Sequence, residues 1–211
     1  MSLDRTDTLP NEPRTGRTRW LRFGATMLVT GAMAATLIGL TAAGVLAASF
    51  SISGIPFTVT STQLRGTGFE QFAALDTMPE NSPNAGDTGG QIIVIVSAVQ
   101  SAELDNLCQS ISLGGAFLKI TAGDAGTPVT ATTLVVDSDQ INAGSATFED
   151  IDIGQDASTL NRVNGVTGNI GIFGQQARTV RLDGLRQNNF ATTAALFTLP
   201  HLSISFTADG C

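Results

Sequence analysis

Short apolar alternations, broken by turn-forming residues, make up most of the chain after residue 48. Phe50 and Ile52 alternate with serines, Gly54 interrupts, and Ile55, Phe57 and Val59 continue in the other phase. A bulge or bend at Gly54 would keep both halves on one face, since one extra residue restores the side-chain phase of a strand. Ile92 to Val96 is continuously apolar and fits a strand buried on both faces. Ile111 with Leu113, Leu118 to Ile120, and Leu134 to Val136 read as further short strands. Phe148, Ile151 and Ile153 follow, then Ile170 and Ile172, then Val180 and Leu182. Leu202, Ile204 and Phe206, separated by Ser203 and Ser205, form the clearest period-two run. Brief strands rich in Thr, Val, Ile and Phe predict a mainly β domain: an antiparallel β-sandwich or an open barrel, with an irregular β-solenoid as the alternative. No repeat of fixed period supports the solenoid.

The breakers agree with this division. Residues 78 to 90, MPENSPNAGDTGG, hold turn formers without apolar periodicity and predict an exposed loop. Asp124, Gly126 and Pro128 mark a turn, and Asn164-Gly165 offers a type I′ hairpin turn. The segment from Leu185 to Phe197 contains Ala-Thr-Thr-Ala-Ala and fits either a strand or a short helix.

Before the alternations comes a different pattern. Phe23 to Ala48 carries no charge and is preceded by Arg14, Arg17, Arg19, Arg22 and Trp20. As a helix it would be about 39 Å long, enough to cross a roughly 30 Å hydrocarbon core with some tilt. Its many Ala, Gly and Thr residues make it only moderately hydrophobic, and Val45-Leu46-Ala47 resembles a signal-peptide cleavage site. The segment 23–48 therefore reads as a transmembrane anchor or as a signal segment. Residues 1–22 form a basic cytoplasmic flank, and residues 49–211 form one exported β-rich domain. The domain is expected outside the cell membrane, or secreted if cleavage occurs near Ala47.

Charge adds to this picture. Residues 49–211 carry Lys119 and five arginines against fifteen carboxylates. Such a surface repels nucleic acid and anionic headgroups, so no nucleic-acid partner is expected. Cys108 and Cys211 are the only cysteines, both on the predicted outer side where disulfides form, and a bridge between them would tie down the C-terminus.

Catalytic signatures are sparse. No G-x-S-x-G elbow occurs, and His201, the only histidine, lies between Pro200 and Leu202 at the opening of a strand. Asp137, Asp139, Glu149, Asp150 and Asp152 form a carboxylate-rich neighbourhood, and Asp150 and Asp152 would share one face of a strand. They lack the spacing of a known Ca²⁺ loop and read mainly as a solvated acidic face. One histidine and two distant cysteines do not make a zinc site, and Gly114-Gly115 lacks the Gly-Lys-Ser/Thr of a phosphate cradle. No metal and no cofactor is expected. The eleven phenylalanines fit a core or an apolar groove, which periodicity does not separate.

Six segments carry a resemblance: GTGFEQF (66 to 72), NLCQS (106 to 110), LKITAGD (118 to 124), IDIG (151 to 154), FGQQA (173 to 177) and ATTAALF (191 to 197). In order and spread they resemble the DUF6230 group, actinobacterial envelope proteins of unknown function, from near Arg19 to the C-terminal cysteine. Some members are labelled cholesterol esterase, so the resemblance implies that activity without supplying a nucleophile. It also implies a small multi-span membrane protein as partner. Together these features predict a non-enzymatic envelope protein with a structural or interaction role. A carrier or sensor of an apolar ligand, with lipid as a partner, is the first alternative, and a lipid-ester hydrolase the second.

Overall fold

The computed structural model describes residues 51–211; the segment 23–48 and the basic flank lie outside the described residues. Ten strands follow in chain order: β1 (Phe57–Thr77), β2 (Gln91–Asp105), β3 (Leu107–Ser112), β4 (Phe117–Ala122), β5 (Val129–Asn142), β6 (Ser145–Glu149), β7 (Asp152–Asp156), β8 (Phe173–Thr193), β9 (Leu196–Thr198) and β10 (Ser203–Thr207). All ten belong to one antiparallel sheet, so the domain is mainly β. Among the described residues no helix is long and apolar enough to cross a membrane.

The four longest strands close on themselves. β1 pairs with β2, β2 with β5, β5 with β8, and β8 again with β1. One circuit shows the geometry: Gln175 of β8 lies opposite Gln71, Gln71 opposite Ser97, Ser97 opposite Val136, and Val136 opposite Thr192, which is again on β8 but far along it. A ring that returns so displaced requires steeply inclined strands, which is why β1 and β8 each run for 21 residues. β6 and β7 continue along β8 beyond the end of β5. β3, β4 and β10 form a flap on the N-terminal part of β1.

Inside the ring lie Val59, Leu64, Phe69, Val99, Leu134 and Val180. These positions do not keep one parity along β1. The inward set is Val59, then Leu64 and Gly66, then Phe69 and Gln71, yet the register against β8 and β2 runs on without a shift. Three of the switches fall at single residues with positive φ, Gly68 in β1 (63°), Thr133 in β5 (48°) and Gly184 in β8 (63°), whereas the change between Val59 and Leu64 occurs without one. Gly68 also admits a neighbour, since a Cβ there would lie 2.4 Å from the Arg162 carbonyl oxygen. Val180 and Leu182 and the segment that begins at Leu185 are thus stretches of one strand, β8, on either side of Gly184.

The segment 157–172 covers one outer face of the ring. Leu160, Val163 and Val166 pack on Phe72, Val94, Val96 and Ala98 in a second apolar cluster. Beneath it Glu70 is fully buried, and its Oε1 accepts a hydrogen bond from the Val163 amide at 2.6 Å. The expected strand at Ile170 and Ile172 falls in this covering segment, where Gly171 at positive φ turns the chain (φ 81°). Asn164-Gly165 likewise turns within the cover and joins no hairpin. The apolar run 92–96 is divided: Val94 and Val96 lie under the cover, Ile95 faces the ring interior, and Ile93 is exposed.

The first strand begins at Phe57, not earlier. Ile52 is held by its amide to the Thr77 carbonyl and is buried beside Met78 and Ala191, a third small cluster. The segment 185–197 is extended, completing β8 and entering β9, with no helix. Residues 78–90 connect β1 to β2 as a largely exposed loop. Cys108 of β3 and Cys211 form a disulfide with Cα atoms 5.9 Å apart. The Cys211 amide donates to Ser110 Oγ, and Arg186 donates to the Cys211 carbonyl, so the C-terminus is fixed to the flap and to β8.

Candidate functional site

The ring interior is not completely filled. A cavity of about 380 Å³ lies between β1, β2, β5, β6 and β8. Its walls are mostly apolar, with Leu64, Val99, Val136, Phe148, Val180 and Leu182 among them. A binding site for a small organic molecule typically occupies roughly 300–1,000 Å³, so this volume suits one such molecule.

Six polar residues break the apolar wall: Gln71, Ser97, Gln109, Gln187, Asn189 and Thr192. Gln71 is the centre of a chain of bonds. Gln175 donates through Nε2 to Gln71 Oε1 at 2.6 Å, and Gln71 Nε2 donates to Ser97 Oγ at 2.8 Å. The three residues are directly opposite one another on β8, β1 and β2, which is why they meet. Asn189 differs. It is 1% exposed, and its Oδ1 is buried with no partner among the described residues. A buried carbonyl oxygen without a donor is costly and is satisfied when a donor arrives from a ligand.

None of the residues lining this cavity is acidic, basic or a histidine. Ser97 and Thr192 supply hydroxyls, but no imidazole or carboxylate stands beside them in the lining to take a proton. His201 is elsewhere. At positive φ (54°), it meets Asp124 through Nδ1 at 2.7 Å, and both side chains are more than half exposed. The pair resembles part of a catalytic triad in composition, yet it faces solvent and does not reach the cavity.

The carboxylates singled out above separate in space. Asp150 has positive φ in the turn between β6 and β7, so it does not share a strand face with Asp152 as the alternation suggested. Arg178 holds Asp150 and Glu149, lowering the Asp150 pKa mainly through its hydrogen bond. Gln176 donates to Asp152 and Asn188 to Asp139. Asp137 is partly buried, and burial, then the charge of Asp76, push its pKa up to about 7. Among the described residues no cluster of three ligating groups is suited to a metal ion.

The cavity reaches the surface beside the flap. Gln109 of β3, Thr192 of β8 and Phe197 of β9 line both the cavity and a shallower groove bordered by Ser51, Ile52 and Ser53. These three residues form its mouth. Sequence alone exposed none of the polar lining, because uncharged amides carry no motif. The usable signal was phase, since Gln71 continues the inward parity of Phe69, and Asn189 that of Leu185 and Gln187.

A disulfide-stapled, antiparallel β-domain with an internal apolar cavity is the class these features define. Residues 53–211 match the model of the DUF6230 family, a family of unknown function, and the chain belongs to that family. No curated protein and no solved structure gives a significant match. Of the segments carrying the resemblance, GTGFEQF supplies Gly68, Phe69, Glu70 and Gln71, and FGQQA supplies Gln175 and Gln176. The two meet at one end of the ring, where interior and cover are joined.

Proposed function

We propose that the chain is a non-enzymatic protein of the cell envelope whose exported domain holds one apolar ligand in its interior. The observation that supports this most is the cavity of about 380 Å³, apolar in its walls and free of titratable side chains in its lining. Such a site gains from excluding water around a hydrocarbon body and offers nothing to activate an ester carbonyl. The Asn189 oxygen favours a ligand with one hydroxyl or amide donor, such as a long-chain or isoprenoid alcohol. A retained 23–48 segment would keep the domain at the membrane, beside the small multi-span membrane protein that the family resemblance implies as partner.

The test uses the purified full chain in neutral detergent with a pyrene-labelled fatty alcohol. Binding should saturate at one probe per chain, and Leu182→Trp, which fills the cavity, should weaken it about tenfold or more while the melting transition stays cooperative. Cholesteryl and short-chain esters should remain uncleaved. Non-saturable partitioning that L182W leaves unchanged would remove the ligand reading. Turnover that disappears in H201A would restore the hydrolase.

A further inference from the structure

We infer that the interior site is loaded from the outer leaflet of the bilayer, through the mouth formed by Gln109, Thr192 and Phe197. The inference rests on the ligand reading above and adds the route.

Chain continuity is the first support. The groove beside the mouth is bordered by Ser51, Ile52 and Ser53, and the uncharged segment 23–48 ends three residues before Ser51. Three residues of extended chain span at most about 11 Å. A chain anchored through that segment therefore holds the mouth close to the lipid surface.

The second support is the surface that continues from the mouth. Gln109 lies opposite Ile120, and Ile120 opposite Ile204. The next row on that face is Ile111, Leu118 and Phe206. Directly opposed residues on antiparallel strands present their side chains to the same face, so both rows share the face of Gln109. That face carries no charge, although the domain as a whole has an excess of carboxylates. Phe206 is 72% exposed and Ile204 58%, on an edge strand that nothing among the described residues covers. Phe197, at the mouth itself, is 38% exposed. An uncharged apolar shelf leading into an apolar cavity suits a lipid chain leaving a bilayer, because the hydrocarbon then need not cross water. The charged pairs Arg65–Glu103, Arg178–Glu149 and Arg181–Asp183 all involve β1, β2, β6 and β8, outside the flap, and the pair His201–Asp124 lies beyond the ends of β4 and β10 rather than on this face.

The test reconstitutes the full chain in phosphatidylcholine vesicles and compares two photoreactive alcohols bearing a diazirine. One has a long chain and stays in the bilayer; the other has a short chain and reaches the protein through water. Crosslinks are mapped by mass spectrometry. The bilayer-held probe should label peptides containing Phe197 and the cavity wall at Val180–Leu182. Ile204→Glu with Phe206→Glu, both on the exposed shelf and outside the cavity lining, should lower that labelling about tenfold. The same double variant should leave labelling by the water-borne probe within about twofold, which shows that the interior is intact. Cavity labelling by the water-borne probe alone overturns the bilayer route and leaves the ligand site standing. Absence of cavity labelling by both probes overturns route and site together. Bilayer labelling unaffected by the double variant overturns the assignment of the shelf as the path to the mouth.

Discussion

Asp137 and Glu70 are the residues at which burial and charge compete most directly. Both carboxyls are pushed above the ordinary range, Asp137 to about 7 by burial and then by Asp76, and Glu70 by burial partly offset by the amides of Val163 and Arg162. A carboxyl whose folded pKa is raised keeps its proton in the native state after the unfolded chain has lost it. Stability therefore falls as pH rises from about 4 to about 7 and then levels. Asp183 opposes this only in acid, since Arg181 and then Gln63 hold it at about 2, and its contribution is lost as pH falls below about 4. The melting temperature should decline between pH 4.5 and 7.5, and Asp137→Asn should flatten the decline and raise the melting temperature at pH 8. A melting temperature that rises across that window would contradict the buried state of Asp137. Glu70 is tested by a pair of variants. Glu70→Gln keeps an acceptor for the Val163 amide and should cost little, whereas Glu70→Ala should cost about 2–3 kcal/mol by leaving that buried amide unpaired. Equal effects in denaturant titration would deny the bond its role.

At the scale of elements, the class of strand was legible and its length was not. Alternation at Phe57 and Val59 and again at Val180 and Leu182 marked these stretches as extended, but the stretch that follows from Leu185 read as either a strand or a short helix. Gly68, Thr133 and Gly184 change the inward face while pairing continues, and a period-two template has no provision for that. Ring closure was hidden for a related reason. Periodicity reports which face a residue takes and is silent about which strand lies beside it, and Phe57 pairs with Asn189 across most of the domain. The cysteine pair was legible because only one pairing within the chain exists. That bridge closes a separation of 103 residues and should contribute about 4.7 kcal/mol. Replacing both cysteines by serine should lower the unfolding free energy by that amount and expose the flap to proteolysis first, between Ser112 and Phe117. An unchanged denaturation midpoint with an uncut flap would show that the staple adds nothing.

For the whole molecule, the sheet is long enough to enclose space and short of side chains to fill it. Inward positions are taken by Gly66, Ala102, Ala131, Ala146 and Ala177 as well as by larger residues, so closing the ring leaves room beside Leu182 and Phe148. A cavity lined by apolar groups lacks contacts that a filled core would make. The polar lining divides in two: Gln175, Gln71 and Ser97 bond one another, while the Asn189 oxygen, which has no partner among the described residues, is the one the proposed ligand would meet. The central claim, one apolar guest per chain, is tested most directly by native mass spectrometry of the full chain extracted from envelopes in mild detergent. The account predicts a population heavier than the polypeptide by one lipid-sized mass, organic-extractable, and absent from L182W and from Ala146→Trp prepared in the same way. A single species at the polypeptide mass in the native chain, unchanged after incubation with long-chain alcohols, would contradict it.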